Sequence, residues 1–97
     1  MASNLQPLHT SIEKIISSVV GIVILEHHFN FPSRESNLYC VKDDGTILWK
    51  AEKPDPNTLF NRVKLNENFT LSAYTIHGHA CELDLKKGTL LDKLSIA

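Results

Sequence analysis

Hydrophobic and polar positions alternate in short runs over most of the chain, which is the pattern of strands that bury one face. From Val19 to Phe31 β-branched and aromatic residues are dense, and Pro32 ends the run. This pattern predicts one long strand with apolar side chains on both of its faces.

The residues just before this run have a different pattern. Thr10 and Glu13 have the spacing of a capping box, in which two side chains satisfy free backbone donors at the start of a helix. Isoleucines and a valine then recur at helical spacing, so we predict a short amphipathic helix over residues 11–18. Isoleucine is β-branched, however, and the same run would also serve as a strand.

Turn residues divide the remainder of the chain into hairpins. Residues 38–42 and 46–51 flank Asp43-Asp44-Gly45, where glycine supplies the positive φ that a bulged turn requires. Residues 52–58 contain two prolines, which cannot donate to a sheet, and they predict a loop. Further strands follow, separated by turns at residues 66–68, at His77-Gly78 and at Lys86-Lys87-Gly88. A positive φ is expected at Gly88 as well, because this turn has the same bulged form.

These elements predict one mainly β (α+β) domain over residues 1–97. Its architecture is expected to be an antiparallel β-meander of six to seven strands with the short N-terminal helix packed on it. The meander forms either an open curled sheet or a partly closed barrel.

Charge and hydropathy narrow the range of partners. Ten Lys and Arg against eleven Asp and Glu give a net charge of −1. Nucleic-acid binders normally carry a basic surplus, and only Arg62 with Lys64, and Lys86 with Lys87, could form a local basic patch. The longest apolar run, residues 19–25, is too short to cross a bilayer. We therefore expect neither a nucleic acid nor a membrane as partner.

The N-terminal residues lack the basic region and apolar stretch of a secretory leader, so a cytoplasmic location is expected. Cys40 and Cys81 are too few for a disulfide framework. In a reducing compartment they predict two free, buried thiols.

The only candidates for metal chemistry are histidines near a cysteine. On one straight strand His77, His79 and Cys81 would project from the same face, as three zinc ligands do. Gly78 reads better as a turn residue, which would break that alignment. Cys81 with His79 or His27 could also form a nucleophile pair, but an apolar setting favours a packing role for the cysteine. We therefore expect no catalytic residue, bound metal or cofactor.

Five aromatic residues are candidates for an interface or for the lining of a pocket. They are Trp49, Tyr39, Tyr74, Phe29 and Phe31. Aromatic side chains supply large contact areas at interfaces. Trp49 alternates with apolar neighbours, so a place in the core is the other interpretation.

The chain also contains an internal echo. Residues 41–50 align with residues 84–93, which pairs Gly45 with Gly88 at an offset of 43 residues. The echo resembles the repeat of quinoprotein-type β-propellers, in which an Asp precedes a turn glycine by four positions and a Trp follows it by four. Gly45 and Trp49 match one half of this pattern, and Asp84 and Gly88 match the other. Two such units cannot close a ring of four to eight blades, so the resemblance implies no cofactor site.

The first functional hypothesis is a small non-enzymatic interaction or accessory domain that self-associates, most simply as a homodimer, with a further protein partner left open. Its size and lack of catalytic motifs suggest a bacterial immunity-type or mobile-gene-cassette protein. The long first strand has more apolar surface than a short helix can cover, which favours association. A small-ligand-binding β-barrel is the alternative, and a metal-binding protein or enzyme using the His/Cys cluster is the third hypothesis.

Overall fold

The computed structural model describes residues 5–95, which form eight β-strands. The strands are β1 (Ile12–Ser17), β2 (Ile22–Glu26), β3 (Leu38–Val41), β4 (Ile47–Lys50), β5 (Phe60–Leu65), β6 (Thr70–Thr75), β7 (His79–Asp84) and β8 (Leu90–Ser95). They form two four-stranded antiparallel sheets in chain order, β1–β4 in the first sheet and β5–β8 in the second. Each sheet has the four strands of one propeller blade.

The predicted helix over residues 11–18 is wrong, because this segment is strand β1 and residues 5–95 contain no helix. The isoleucine run pairs with β2, where Ile16 lies opposite Val23. Thr10 does not cap a helix; its hydroxyl donates to the carbonyl of His27 at 2.8 Å. Packing against β2 therefore decides between two structures that the sequence pattern fits equally well.

The predicted single meander of six to seven strands is also wrong. No ladder joins β4 to β5 within residues 5–95, and the two sheets do not close into a barrel. The proline-containing segment at residues 51–59 carries the chain from one sheet to the other. The long first strand is shorter than expected, because Asn30 has a φ of 68° and the chain turns soon after Glu26.

The core lies between the two sheets and draws on both. Alternate residues of β2, β3, β6 and β7 point into it, as the two-residue period of a strand requires. The buried side chains in this cluster are Val23, Leu25, Leu38, Cys40, Trp49, Ala51, Phe60, Val63, Leu71, Ala73, Cys81, Leu83 and Leu85. Neither sheet therefore has a complete core without the other.

Trp49 joins the two halves of the internal echo. Its indole nitrogen donates to the carbonyl of Leu85 at 2.9 Å, and its ring lies against Gly88. A Cβ atom on Gly88 would approach Cε3 of Trp49 to 2.4 Å, whereas a Cβ on Gly45 would meet nothing within 4 Å. Both glycines have the predicted positive φ, 70° at Gly88 and 89° at Gly45. Trp49 of β4 therefore packs against the turn between β7 and β8.

The other face of the first sheet is covered by the chain that precedes β1. Residues 5–10, the covering segment, lie over a small apolar cluster that includes Ile24 and Tyr39. The carboxylate of Glu26 holds the segment in place. It accepts bonds from the backbone amides of His9 at 3.1 Å and Thr10 at 2.9 Å, and from the Tyr39 hydroxyl.

Glu26 is fully buried, yet it stays ionised. Burial raises the pKa of this carboxyl, but the bonds from Tyr39 and from the backbone of the covering segment outweigh burial and leave the pKa below its usual range. Burial, together with the bond to the Glu26 carboxylate and its negative charge, raises the pKa of the Tyr39 hydroxyl. Glu26 is thus a charged anchor between β2 and the covering segment.

Candidate functional site

The outer face of the second sheet is open to solvent and is not covered by any other segment of residues 5–95. We call it the open face. It consists of Arg62, Lys64, Ser72, Tyr74, Ala80, Glu82, Asp92 and Leu94, which face away from the first sheet and are joined by the strand register. The side chains of Tyr74 and Leu94 are 38% and 64% exposed.

Strand register arranges these eight residues in two rows that cross all four strands. One row runs Arg62, Tyr74, Ala80, Leu94, and the other runs Lys64, Ser72, Glu82, Asp92. Directly opposite residues of antiparallel strands share a face and have their Cβ atoms about 5 Å apart. Each row is therefore a continuous line of side-chain contacts.

Charge is divided between the two ends of the open face. The cations Arg62 and Lys64 lie on β5, and the carboxylates of Glu82 and Asp92 lie on β7 and β8. Tyr74 lies on β6, between the two charged ends. The face therefore changes from basic to acidic across the strands, with an aromatic ring near its middle.

Tyr74 lines a depression on each side. On the β5 side a groove of about 550 Å³ runs between the edges of β1 and β5 and includes Lys14 and Arg62. On the β8 side a shallow depression of about 210 Å³ includes Ala80 and Leu94. Lys14 donates from Nζ to the carbonyl of Val63 at 3.1 Å, which satisfies one acceptor on the edge of β5. The Tyr74 ring therefore lies between two depressions, and both of its sides are open to contact with another surface.

The structure separates the aromatic residues that the sequence analysis grouped as interface or pocket candidates. Trp49 is 7% exposed, Tyr39 1% and Phe31 5%. The ring of Phe31 packs edge-on against His9 of the covering segment, with ring centroids 4.9 Å apart. Phe29 is 69% exposed in the turn after β2. Of the five, Tyr74 alone lies on the open face.

The candidate metal ligands are likewise not brought together. His77 lies in the turn between β6 and β7, where Gly78 has a φ of 89°, and its Nδ1 shares a hydrogen bond with Thr58 at 2.7 Å. Nδ1 of His79 pairs with the Thr75 hydroxyl at 2.9 Å. Over residues 5–95, no three side chains of the His, Cys, Asp and Glu types are grouped to hold a metal.

Both cysteines are free and buried, as predicted. Burial raises the pKa of the Cys40 thiol and of the Cys81 thiol, although Lys93 offsets part of the shift at Cys81. A raised pKa lowers the fraction of reactive thiolate at neutral pH.

We therefore expect both thiols to react with a thiol reagent slowly in the native protein and rapidly after denaturation. Counting modified thiols over time in the two states tests this. Fast labelling of native Cys81 that is suppressed in a His79→Ala variant would contradict it, because such a result requires a histidine-activated thiolate.

The family match covers nearly the same residues as the two sheets. The chain matches the family described as Domain of unknown function (DUF7957) over residues 5–94. It belongs to that family. No curated protein and no solved structure matches the chain. The match spans all eight strands, so the family model includes both sheets.

Arg62 and Lys64 are recognisable in the sequence as a basic pair, whereas their place beside Glu82 and Asp92 on one face is not. That place depends on strand register, which brings residues far apart in the chain into one row. The alternation of polar and apolar positions in β5–β7 was the available signal for which side chains share a face.

Proposed function

We propose that the protein is a small, non-enzymatic interaction domain of the cytoplasm that self-associates through the open face. The observation that carries the proposal is that the open face is a sheet surface with an exposed aromatic ring and no covering layer among residues 5–95. An exposed sheet face with aromatic and apolar residues is typical of an interface.

The first long strand does not supply the uncovered apolar surface that was expected to drive association. Both faces of β2 are covered, one by the second sheet and the other by the covering segment. Support now comes from the open face, where Leu94 and Tyr74 are the exposed apolar groups. A net charge of −1 leaves little long-range repulsion between identical chains.

The further parts of the proposal rest on composition. We propose a role as an accessory protein of the bacterial immunity or mobile-cassette kind, which is compatible with the small size of the chain. The cytoplasmic location is supported by two free, buried cysteines. Residues 1–4, on which the argument against a leader partly rests, lie outside the described residues. No helix in the described part of the chain has the length and apolar character needed to span a membrane.

Sedimentation equilibrium tests the proposal. We expect the apparent mass to rise with concentration from the 10.9 kDa monomer toward twice that value. The species should interconvert on dilution, because association follows mass action. A mass that stays at the monomer value across a roughly hundredfold concentration series would overturn self-association.

A further inference from the structure

Resting on the proposed self-association, we infer that two copies pack open face against open face about a two-fold axis parallel to their strands. Two-fold pairing is the commonest closed arrangement of identical chains, and it requires a surface that is complementary to itself. The open face has this property because its basic and acidic ends lie on opposite sides of Tyr74.

The charge distribution selects the direction of the axis. Two aligned sheets packed face to face can be related by an axis parallel or perpendicular to their strands. A perpendicular axis places β5 against the partner's β5 and exchanges the two rows, so that Arg62 meets the partner's Lys64 and cations face cations. A parallel axis places β5 against the partner's β8, so that cations meet carboxylates. Like charges in direct opposition are costly at an interface, which excludes the perpendicular arrangement.

The two rows define which side chains meet in the parallel arrangement. Lys64 lies opposite the partner's Asp92, and Ser72 lies opposite the partner's Glu82. Tyr74 lies over the partner's Ala80, where a small side chain leaves room for a ring. Arg62 lies against the partner's Leu94. Each contact occurs twice, because the axis generates its copy.

The size of the open face sets the expected affinity. Four strands about 4.8 Å apart and six residues long give a face of roughly 20 by 20 Å. A stable interface usually buries about 800 Å² on each partner, and the open face, at roughly 400 Å² in projection, is about half that size. We therefore expect a dimer with a dissociation constant in the micromolar range, weakened further by salt.

Charge reversal tests this arrangement. Lys64→Asp and Asp92→Lys each create repulsion at both symmetry-related contacts, so each single variant should weaken the dimer about tenfold. The double variant restores opposite charges with their positions exchanged, and its dissociation constant should return to within about threefold of the unmodified protein. Matched controls are Lys50→Asp on β4 and Asp43→Lys in the turn between β3 and β4, which make the same charge changes at exposed positions away from the open face and should leave the dimer unchanged.

A bulky substitution tests the centre of the face. Ala80→Arg should abolish the dimer, because the new side chain occupies the space of the partner's Tyr74 ring. Circular dichroism of each variant checks that the sheets remain folded.

The outcomes separate the inference from the proposed function. A wild-type protein that is monomeric at all concentrations overturns both. If the wild-type protein dimerises and neither Ala80→Arg nor charge reversal weakens the dimer, the open face is not the interface. Self-association itself would then still hold. A dimer that Ala80→Arg abolishes, but whose double charge variant stays as weak as the singles, overturns the direction of the axis.

Discussion

Gly88→Ala is expected to lower the free energy of unfolding by about 4 kcal/mol, compared with about 1 kcal/mol for Gly45→Ala. Both glycines have a positive φ, so both substitutions force an L side chain into a left-handed conformation. At Gly88 the new methyl group would also lie 2.4 Å from the Trp49 ring, and the ring must move. Gly45 has open space at that point and therefore measures the backbone strain alone.

Urea denaturation of the two variants gives the comparison, and a double variant isolates the contact. With Trp49→Ala already present, Gly88→Ala should cost no more than Gly45→Ala, because the obstructing ring is gone. Equal losses for the two glycine variants in the presence of Trp49 would show that the ring is free to move and does not hold the sheets together.

Glu26→Gln should cost about 3 kcal/mol at neutral pH, because it removes a buried charge to which the backbone of the covering segment and Tyr39 donate. Glu35→Gln is the matched control. Glu35 bonds His9 of the same segment at 2.9 Å, but its side chain is 42% exposed and its contribution should be below about 0.5 kcal/mol. Denaturation curves measure both, and amide hydrogen exchange at residues 8–10 shows whether the segment is released.

The Glu26 anchor should also appear in the pH dependence of stability. Its pKa is lower in the folded protein than in the unfolded chain. The stabilisation is therefore complete above the unfolded pKa and is lost as the pH falls through the folded pKa. Wild-type protein should lose this part of its stability in acid, whereas Glu26→Gln should not. A variant that loses as much stability as the wild type between neutral pH and acid would show that the anchor is not ionised in the fold.

Turns that depend on a few neighbouring residues could be predicted from the sequence. The turn at Gly45 and the turn at Gly88 could be predicted because a bulged hairpin needs a positive φ within a few residues of paired strands. The β1 segment could not, because its isoleucines satisfy a helical and an extended pattern equally well. The partner strand decides that question, and no short window of sequence contains the partner.

The other features that the sequence did not predict depend on contacts between residues far apart in the chain. The break between β4 and β5 depends on how the proline-containing segment crosses from one sheet to the other, so a continuous meander was an equally consistent prediction. Glu26 gave no signal, since a single carboxylate at the end of an apolar strand matches no motif and its backbone partners precede it by 16 residues or more. The open face depends on register, which the chain specifies through its packed side and not through its exposed one.

The position of Trp49 makes the two-sheet arrangement directly observable by fluorescence. It is the only tryptophan in the chain, and its ring is shielded from water by the turn of the opposite sheet. Its emission therefore reports the docking of one sheet on the other, while far-ultraviolet circular dichroism reports the strands of both. If the two signals change at the same denaturant concentration, the sheets unfold as one cooperative unit. If the emission shifts first, strand structure persists after the halves have separated.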